Sequence, residues 1–326
     1  MSAQALRVAI TTAVNYGGLD RLCPRRELHW GRCEFLLNPP RGTPCDYWIV
    51  WVGSRDRDSM QVAPSNTLFI SGEPPSKKIY PAIFYAQFHR VVSTHAADPH
   101  PRVTTSLPGL NWHVGLNRDE NRFTYGYDEL KLLQPGEKSG NISVVCSNLT
   151  TTAGQRQRLV LLDHLKAALG DTMVHYGRGF TPIADKMDAI LPHSFHLVLE
   201  NSCSPDYWSE KLSDAYLGWA HPIYAGCPNL GDYFPAHGFT AVDVTQPAAA
   251  LEIIRAQLRH RPDLDVLARC RNLILDPYNP YARFAHWAEL YYQADQAATT
   301  VNITTHKAFR PFPRGLLYRL RSRITG

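Results

Sequence analysis

Short runs of apolar residues recur along the chain and predict β-strands of four to eight residues. The runs lie at 7–14, 46–52, 67–71, 90–94, 142–147, 173–176, 195–200 and 221–224. Between two of them, residues 155–169 carry leucines at helical spacing and end at Gly170, a residue suited to a helix C-terminus. Strands that alternate with helices favour an α/β protein with parallel sheets.

A polar, turn-rich segment at 132–140 separates two series of these elements. With 326 residues, the chain is long enough for two domains of ordinary size. We therefore predict two Rossmann-like domains, at 1–135 and 136–305, followed by a terminal tail at 306–326. In such folds, ligands bind at the carboxyl ends of the strands.

Residues 195–230 carry the most specific pattern of the chain. An apolar strand ends in Glu200-Asn201-Ser202, and a helix is predicted to follow, with Ser204 as N-cap and Pro205 as its first residue. At 100° per residue, one helix face carries polar groups and the opposite face carries apolar groups. The polar face comprises Tyr207, Glu210, Lys211 and Asp214, and the apolar face Leu212, Ala215, Tyr216 and Trp219.

A strand–turn–helix unit with hydrogen-bonding groups and a cation at one end suits an anionic, hydroxyl-rich ligand such as a nucleotide sugar. The simpler interpretation is a surface helix that carries a solvated Glu-Lys pair. The Asn201 turn before the helix and the Pro222–Gly226 segment after it favour the ligand site.

These residues resemble the donor-binding signature of the α1,3/4-fucosyltransferases, glycosyltransferase family 10. The resemblance rests on Glu200-Asn201-Ser202, Tyr207, Glu210-Lys211-Leu212, Pro222-Ile223-Tyr224, Gly226 and Pro228-Asn229. Two departures are visible: Trp208-Ser209 replaces an aliphatic residue and Thr, and Leu199 replaces the usual Phe. The resemblance implies a GT-B fold, with an acceptor domain at 1–135 and a GDP-sugar donor domain at 136–305 facing each other across a cleft.

Glu73 is the candidate catalytic base. It follows the strand 67–71 within Gly72-Glu73-Pro74-Pro75-Ser76, where a turn at the end of a parallel strand would direct it toward a ligand. The alternative is a solvated turn residue. The Gly-Glu-Pro-Pro-Ser sequence resembles an N-terminal motif of bacterial family members, and residues 108–115 resemble another. The first resemblance implies that Glu73 accepts the acceptor proton.

The donor ligands are expected in the second domain. Arg158, near the start of a helix after a strand, and Lys211 are the candidates for the diphosphate, with Arg156 as the alternative to Arg158. The resemblance implies that Glu210 binds sugar or ribose hydroxyls and that Asn201 and Tyr207 contact the diphosphate or the sugar. Arg178, in a glycine turn, would approach the nucleotide.

The expected activity is an inverting transfer of L-fucose from GDP-β-L-fucose to a hydroxyl of a glycan, with an α1,3-type linkage. The alternatives are transfer from another GDP-sugar and a non-catalytic nucleotide- or glycan-binding protein. Because protein cations can stabilise the departing GDP, no cofactor is expected to be required, and a divalent metal would at most be stimulatory. Asp56-Arg57-Asp58 and Asp263-Leu264-Asp265 have a metal-diphosphate pattern, but we interpret both as solvated loop charges.

Composition and charge bear on location and partners. The seven cysteines include no Cys-x-x-Cys pair, which favours reduced thiols over a zinc site or a disulfide framework. Met1–Ile10 lacks the pattern of a secretory signal, so we expect a cytoplasmic protein.

The net charge is +5, and residues 306–326 alternate basic with apolar residues. This tail either packs on the protein or contacts the inner membrane face, where a lipid-linked acceptor for lipopolysaccharide or protein glycosylation would reside. No nucleic-acid partner is expected.

Overall fold

The computed structural model describes residues 4–13 and 18–311. The strands, in chain order, are β1 (Leu6–Thr11), β2 (His29–Trp30), β3 (Cys33–Leu37), β4 (Thr43–Pro44), β5 (Tyr47–Trp51), β6 (Arg57–Val62), β7 (Thr67–Ile70), β8 (Arg90–Ser93), β9 (Val103–Thr105), β10 (Leu116–Asn117), β11 (Arg122–Phe123), β12 (Gly140–Val145), β13 (Met173–Tyr176), β14 (His193–Leu199), β15 (His221–Ala225), β16 (Thr240–Ala241) and β17 (Thr299–Thr304). The helices are α1 (Ala82–Tyr85), α2 (Tyr127–Leu132), α3 (Ala153–Leu169), α4 (Lys186–Ile190), α5 (Glu210–Leu217), α6 (Pro247–Gln257), α7 (Leu264–Leu275) and α8 (Pro280–Tyr291).

The eight strands predicted from apolar runs are confirmed, with ends that differ by up to three residues. The helix predicted at 155–169 is α3, which begins two residues earlier. Its N-cap is Thr152, whose hydroxyl accepts the Gln155 N–H while the Gln155 side chain accepts the Thr152 N–H.

The chain folds into two compact units whose limits differ from the predicted domains. One unit comprises the residues up to Gly109 and those from Pro280 onward, and the other comprises Leu110–Asn279. The division therefore lies at 109/110 and 279/280, where the sequence predicted 135/136. The C-terminal part of the chain joins the first unit through β17, which pairs antiparallel with β6. The pairing runs from Thr299 opposite Val62 to Thr304 opposite Arg57. The predicted tail at 306–326 lies outside the described residues from 312 onward.

The first unit is built on a seven-stranded sheet in the order β2-β3-β1-β5-β7-β8-β9. All its pairs are parallel except that of β2 with β3. Every residue of β5 and β7 is buried, as expected for central strands covered on both faces. A second sheet, β17-β6-β4, adds to this unit.

The second unit has an all-parallel five-stranded sheet in the order β13-β12-β14-β15-β16. Phe195, Leu197 and Leu199 of β14 join one apolar core with α3 and α6. The alternate residues, His196 and Val198, line a small cavity with residues of α4 and α5. Helices thus cover both faces, and the carboxyl ends of β12 and β14 meet at one edge, where α/β folds bind ligands.

Candidate functional site

The segment between β14 and α5 differs from its predicted form. The helix begins at Glu210 with Ser209 as N-cap, not at Pro205 with Ser204 as N-cap. Asp206 has a positive φ of 56°, which no helical residue adopts. Asn229 fixes this conformation, because its side chain accepts the Asp206 N–H at 2.9 Å and donates to Asp206 Oδ1 at 2.8 Å, and the Tyr233 hydroxyl donates to the same oxygen.

Glu200 joins the end of β14 to the start of α5. Its two carboxylate oxygens accept the Ser209 N–H and the Ser209 hydroxyl, each at 2.7 Å. The Lys211 ammonium lies 2.9 Å from Ser209 Oγ and 3.5 Å from Glu200 Oε2. Burial alone would lower the pKa of Lys211, but the carboxylates of Glu200 and Glu210 outweigh it and hold the pKa above its ordinary value. Lys211 is therefore a cation held in place at the ligand edge of the sheet.

Arg158 is a second buried cation at this edge. Its guanidinium donates to the Leu199 carbonyl at 3.2 Å, and its Nε has no hydrogen-bond partner among the described residues. The residue is 5% exposed, whereas Arg156 is exposed and donates to the Thr150 carbonyl. The sequence left open which of the two arginines binds the diphosphate. Arg158 is the one with a buried N–H that can still donate a hydrogen bond to a ligand.

Glu210 lies between three nitrogen-bearing side chains. Lys211 Nζ is 3.4 Å, Lys186 Nζ 3.5 Å and His113 Nδ1 3.8 Å from the same oxygen, Oε1. Burial opposes ionisation of this carboxyl, but Lys211, Lys186 and His113 together hold its pKa well below the ordinary value. Glu210 is therefore an ionised hydrogen-bond acceptor, as its expected role with hydroxyl groups requires.

Asp214, on the next turn of α5, is an anchor and not a ligand group. Its Oδ1 accepts the backbone N–H of His113 at 2.7 Å and of Val114 at 3.0 Å, and its Oδ2 lies 2.7 Å from Lys186 Nζ. Asp185 similarly accepts the Gly115 N–H at 3.0 Å. The segment 108–115, which the sequence marked as a motif, is thus bound to α5 and to the N-terminus of α4 through residues 113–115.

A cavity of about 510 Å³ lies within the second unit, and Lys186 is one of its lining residues. Its lining includes Val145 and Ser147 after β12, the glycine turn with Arg178 after β13, and two further cations, Arg118 and Lys186. A smaller cavity, lined by Lys211 and Asp214 among others, also includes Val145 and Lys186. Lys186 therefore borders both spaces. This cavity lies at the ends of parallel strands and is lined by three cations, Arg118, Arg178 and Lys186. Such a cavity suits an anionic nucleotide.

The other donor residues predicted from the sequence occupy different surroundings. Asn201 is exposed, and its carbonyl oxygen lies 2.7 Å from where a Cβ on Gly154 would be, so the turn passes close to the start of α3. Tyr207 is 7% exposed, and Trp208 packs against Tyr233, Phe234 and Tyr278. The two departures from the family signature are thus accounted for: Trp208 and Leu199 are core residues, and Ser209 supplies the helix cap.

Glu73 lies in the first unit, just after β7. Its side chain is 24% exposed, and its Oε1 is 2.7 Å from Lys77 Nζ. The preceding Gly72 passes so close to Val52 that a Cβ there would lie 2.5 Å from Val52 Cγ2. Val52 itself has a positive φ of 64°, an uncommon conformation for a β-branched residue, and its carbonyl accepts the Tyr80 hydroxyl at 2.8 Å. Backbone strain next to a carboxylate at a strand end is typical of functional sites.

The sequence analysis missed Lys186 and Arg118, and it marked His113 only as part of the motif at 108–115. No spacing pattern relates them to the 195–230 signature, and only the fold brings them to it. Both acidic patterns were placed wrongly in loops. Asp58 is buried in β6 and pairs with Arg55 at 2.6 Å, whereas Asp263 and Asp265 are exposed but form the N-cap and first turn of α7. Within 4–13 and 18–311, no group of three or more His, Cys, Asp or Glu residues could hold a metal ion. The seven cysteines are free thiols, and only Cys203 is exposed.

Sequence comparisons with known proteins find similarity to fucosyltransferases. Residues 135–262 match the family model described as glycosyltransferase family 10 (fucosyltransferase) C-term. A 3-galactosyl-N-acetylglucosaminide 4-alpha-L-fucosyltransferase of Bos taurus is 33% identical over 148 residues, which are 41% of this chain and 39% of that protein. A 4-galactosyl-N-acetylglucosaminide 3-alpha-L-fucosyltransferase of Homo sapiens is 28% identical over 195 residues, which are 55% of this chain and 46% of that protein. The chain thus spans less than half the length of these relatives.

The fold agrees with the sequence comparisons. An alpha1,3-fucosyltransferase crystallised with GDP-fucose is similar with a TM-score of 0.50 and 15% sequence identity, over 91% of this chain and 93% of that one. The similarity establishes a shared GT-B fold, as the sequence analysis predicted.

Proposed function

We propose that this protein, whose residues 135–262 match the model of glycosyltransferase family 10, transfers L-fucose from GDP-β-L-fucose to a hydroxyl of a glycan acceptor. We further propose that the reaction inverts the anomeric configuration and forms an α1,3-type linkage. The observation that carries the proposal is the pair of buried cations, Arg158 and Lys211, at the carboxyl ends of the central strands. A departing diphosphate needs such fixed positive charge.

In the proposed reaction, the Glu73 carboxylate accepts the proton of the acceptor hydroxyl as that oxygen bonds to the anomeric carbon. The bond from this carbon to the GDP oxygen breaks on the opposite face, and GDP leaves with the bonding electrons. Arg158 and Lys211 stabilise the negative charge that develops on the diphosphate. Glu210, held ionised by its neighbours, accepts hydrogen bonds from donor hydroxyls.

No specific observation favours another donor sugar. The departure at Trp208-Ser209 motivated that alternative, but Trp208 packs against Tyr233, Phe234 and Tyr278, and Ser209 caps α5. Neither side chain lines the cavity of about 510 Å³. We therefore retain GDP-fucose as the proposed donor.

The test is a transfer assay with the full chain, GDP-fucose, GDP-mannose and a panel of galactose- and N-acetylglucosamine-containing acceptors. We expect turnover with GDP-fucose and a loss of about 100-fold or more in kcat for Glu73→Gln, with GDP affinity nearly unchanged. Glu252→Gln, which changes an exposed carboxylate, is the matched control. Preference for GDP-mannose would overturn the donor assignment. GDP binding without turnover would favour the non-catalytic alternative, and an active Glu73→Gln variant would exclude Glu73 as base.

We also propose that the transfer requires no metal cofactor, because Arg158, Lys211 and the cavity cations supply the positive charge. Activity in the presence of excess EDTA should equal that in its absence, and added Mg²⁺ or Mn²⁺ should stimulate it only slightly. Complete loss of activity with EDTA, restored by one of these ions, would contradict this proposal.

We propose a cytoplasmic location, and we propose from the surface of the first unit that the protein contacts a membrane peripherally. No helix of the described residues is long and apolar enough to span a bilayer. Ile79 and Ile83 are 61% and 59% exposed. Burial lowers the pKa of the neighbouring Lys78, the charge of Glu73 opposes this shift, and Arg310, Lys307 and Lys77 add to it. Exposed aliphatic groups beside clustered cations suit an anionic bilayer and an acceptor on a lipid carrier.

Co-sedimentation with phosphatidylglycerol and phosphatidylcholine vesicles tests the membrane contact. We expect the full chain to bind the anionic vesicles preferentially and the Ile79→Asp/Ile83→Asp variant to bind more weakly. Val160→Asp, at a similarly exposed position of α3, should bind as the unchanged protein does. Equal binding of all variants would exclude this surface.

A further inference from the structure

We infer that Lys186 is a positioning residue of the donor site, which orients the Glu210 carboxylate so that one of its oxygens is available to the donor sugar. This inference rests on the proposed function, because it concerns the same sugar-nucleotide site. It adds a residue that the 195–230 signature does not contain.

All the ionic contacts of Glu210 converge on one oxygen. Lys211 Nζ, Lys186 Nζ and His113 Nδ1 lie 3.4, 3.5 and 3.8 Å from Oε1. Oε2 accepts no hydrogen bond from any residue in the described ranges, although the side chain is only 20% exposed. A carboxylate held through one oxygen presents the other as an ionised acceptor with its lone pairs unused. A sugar hydroxyl is a suitable donor for that oxygen.

Lys186 is itself fixed in place. Its Nζ lies 2.7 Å from Asp214 Oδ2, and its side chain is 14% exposed, so it is not a solvated surface lysine. Asp214, with a side chain 1% exposed, also accepts the backbone N–H of His113 and Val114. Lys186 begins α4, whose N-cap Asp185 accepts the Gly115 N–H. Two helices and the segment 113–115 therefore determine where this ammonium lies.

Lys211 cannot orient Glu210 alone. Its ammonium is nearer to Ser209 Oγ, at 2.9 Å, and is also attracted to Glu200 Oε2 at 3.5 Å. The contact of 3.4 Å with Lys211 and the longer one of 3.8 Å with His113 leave the Glu210 side chain free to rotate about its terminal bonds. Lys186 approaches the same oxygen from α4, a different element, and the two lysines together restrict that rotation.

Direct contact of Lys186 with the diphosphate is the competing role. The Lys186 ammonium is closest to Asp214 Oδ2, at 2.7 Å, whereas Arg158 has a buried Nε without a hydrogen-bond partner among the described residues. We therefore assign the diphosphate to Arg158 and Lys211, and the orientation of Glu210 to Lys186. The two roles differ in what they predict for GDP, which has the diphosphate but lacks the sugar.

The test is calorimetric titration of the full chain and its variants with GDP, GDP-fucose and GDP-mannose. For Lys186→Met, we expect affinity for the preferred GDP-sugar to fall about tenfold and affinity for GDP to change less than twofold. Glu210→Gln should show the same selective loss, and the double variant should lose no more than the greater single loss, because both changes remove one interaction. Lys166→Met, at an exposed position of α3, is the matched control.

Lys186→Arg and Lys186→Gln separate positioning from folding. Lys186→Arg should retain the ratio of GDP-sugar to GDP affinity within about threefold, whereas Lys186→Gln should lower that ratio. This comparison remains informative if Lys186→Met does not fold. Equal losses for GDP and GDP-sugar, no loss at all, or additive losses in the double variant would overturn the inference. If the unchanged protein prefers GDP-mannose, the proposed donor is wrong and the Lys186 test proceeds with GDP-mannose. If it binds neither GDP-sugar, both the proposed function and this inference are wrong.

Discussion

Glu200 and Ser209 are joined by two hydrogen bonds of 2.7 Å, one from the Ser209 N–H and one from its hydroxyl. Glu200 directly follows β14 and Ser209 caps α5, so this pair sets where the helix begins. It also places Lys211, whose ammonium lies 2.9 Å from the same Ser209 hydroxyl. The start of α5 and the position of the diphosphate cation therefore depend on one hydroxyl group.

Ser209→Ala should consequently lower both stability and donor affinity. It removes the helix cap and leaves a buried oxygen of Glu200 with only its longer contact to Lys211, at 3.5 Å, which should cost about 1–3 kcal/mol of the free energy of unfolding. Urea denaturation and GDP titration measure the two effects. Ser209→Thr keeps the hydroxyl and should lose much less of both. Similar losses in the two variants would show that the hydroxyl is not the cause.

Arg158 and Arg156 provide a second test, because they lie two residues apart on α3 with different surroundings. Arg158→Met removes a buried guanidinium and should weaken GDP binding about 10- to 100-fold, the range for a hydrogen bond to a charged group. Arg156→Met removes an exposed side chain that donates to the Thr150 carbonyl and should leave GDP affinity nearly unchanged. Calorimetry with GDP distinguishes them. The reverse order of effects would assign the diphosphate to Arg156.

The strands could be predicted from the sequence because each is a buried apolar run whose ends follow from local composition. The start of α5 could not. Ser204-Pro205-Asp206 is a good local start for a helix, but Asn229 and Tyr233, more than twenty residues away, hold Asp206 in a left-handed conformation. The same limit applies to Lys186, whose place in the site depends on Asp214, and to β17, whose place depends on pairing with β6. Contacts between distant residues leave no spacing pattern in the sequence.

Buried histidines predict how stability depends on pH. Burial lowers the pKa of His221 to about 4, and its Nε2 lies 2.9 Å from Thr240 Oγ1. The unfolded chain, with an ordinary histidine pKa near 6.5, therefore binds more protons between these values than the folded chain does. Stability should be lost as the pH falls from 6.5 towards 4, by up to about 3 kcal/mol from this residue.

His221→Gln checks that contribution. The amide can still donate to Thr240 but does not titrate, so the free energy of unfolding should vary less with pH than in the unchanged protein. Urea denaturation at several pH values between about 4.5 and 7.5 measures the slope. Burial also lowers the pKa values of His113, His196 and His306. In His221→Gln, these residues should still make the free energy of unfolding vary with pH. An unchanged slope in His221→Gln would contradict the prediction.

Gly72 links the backbone of the first unit to the candidate base. A Cβ at this position would lie 2.5 and 2.9 Å from the two methyl carbons of Val52, a residue already at a positive φ. Gly72→Ala should therefore destabilise the protein by about 1–3 kcal/mol and, by displacing the adjacent Glu73, lower kcat more than the affinity for GDP. Gly136→Ala is the matched control, because nothing lies within 4 Å of its Cβ position. Thermal denaturation and the transfer assay measure both effects. If Gly72→Ala loses stability but keeps its full kcat, the turn at Gly72 does not position a catalytic carboxylate.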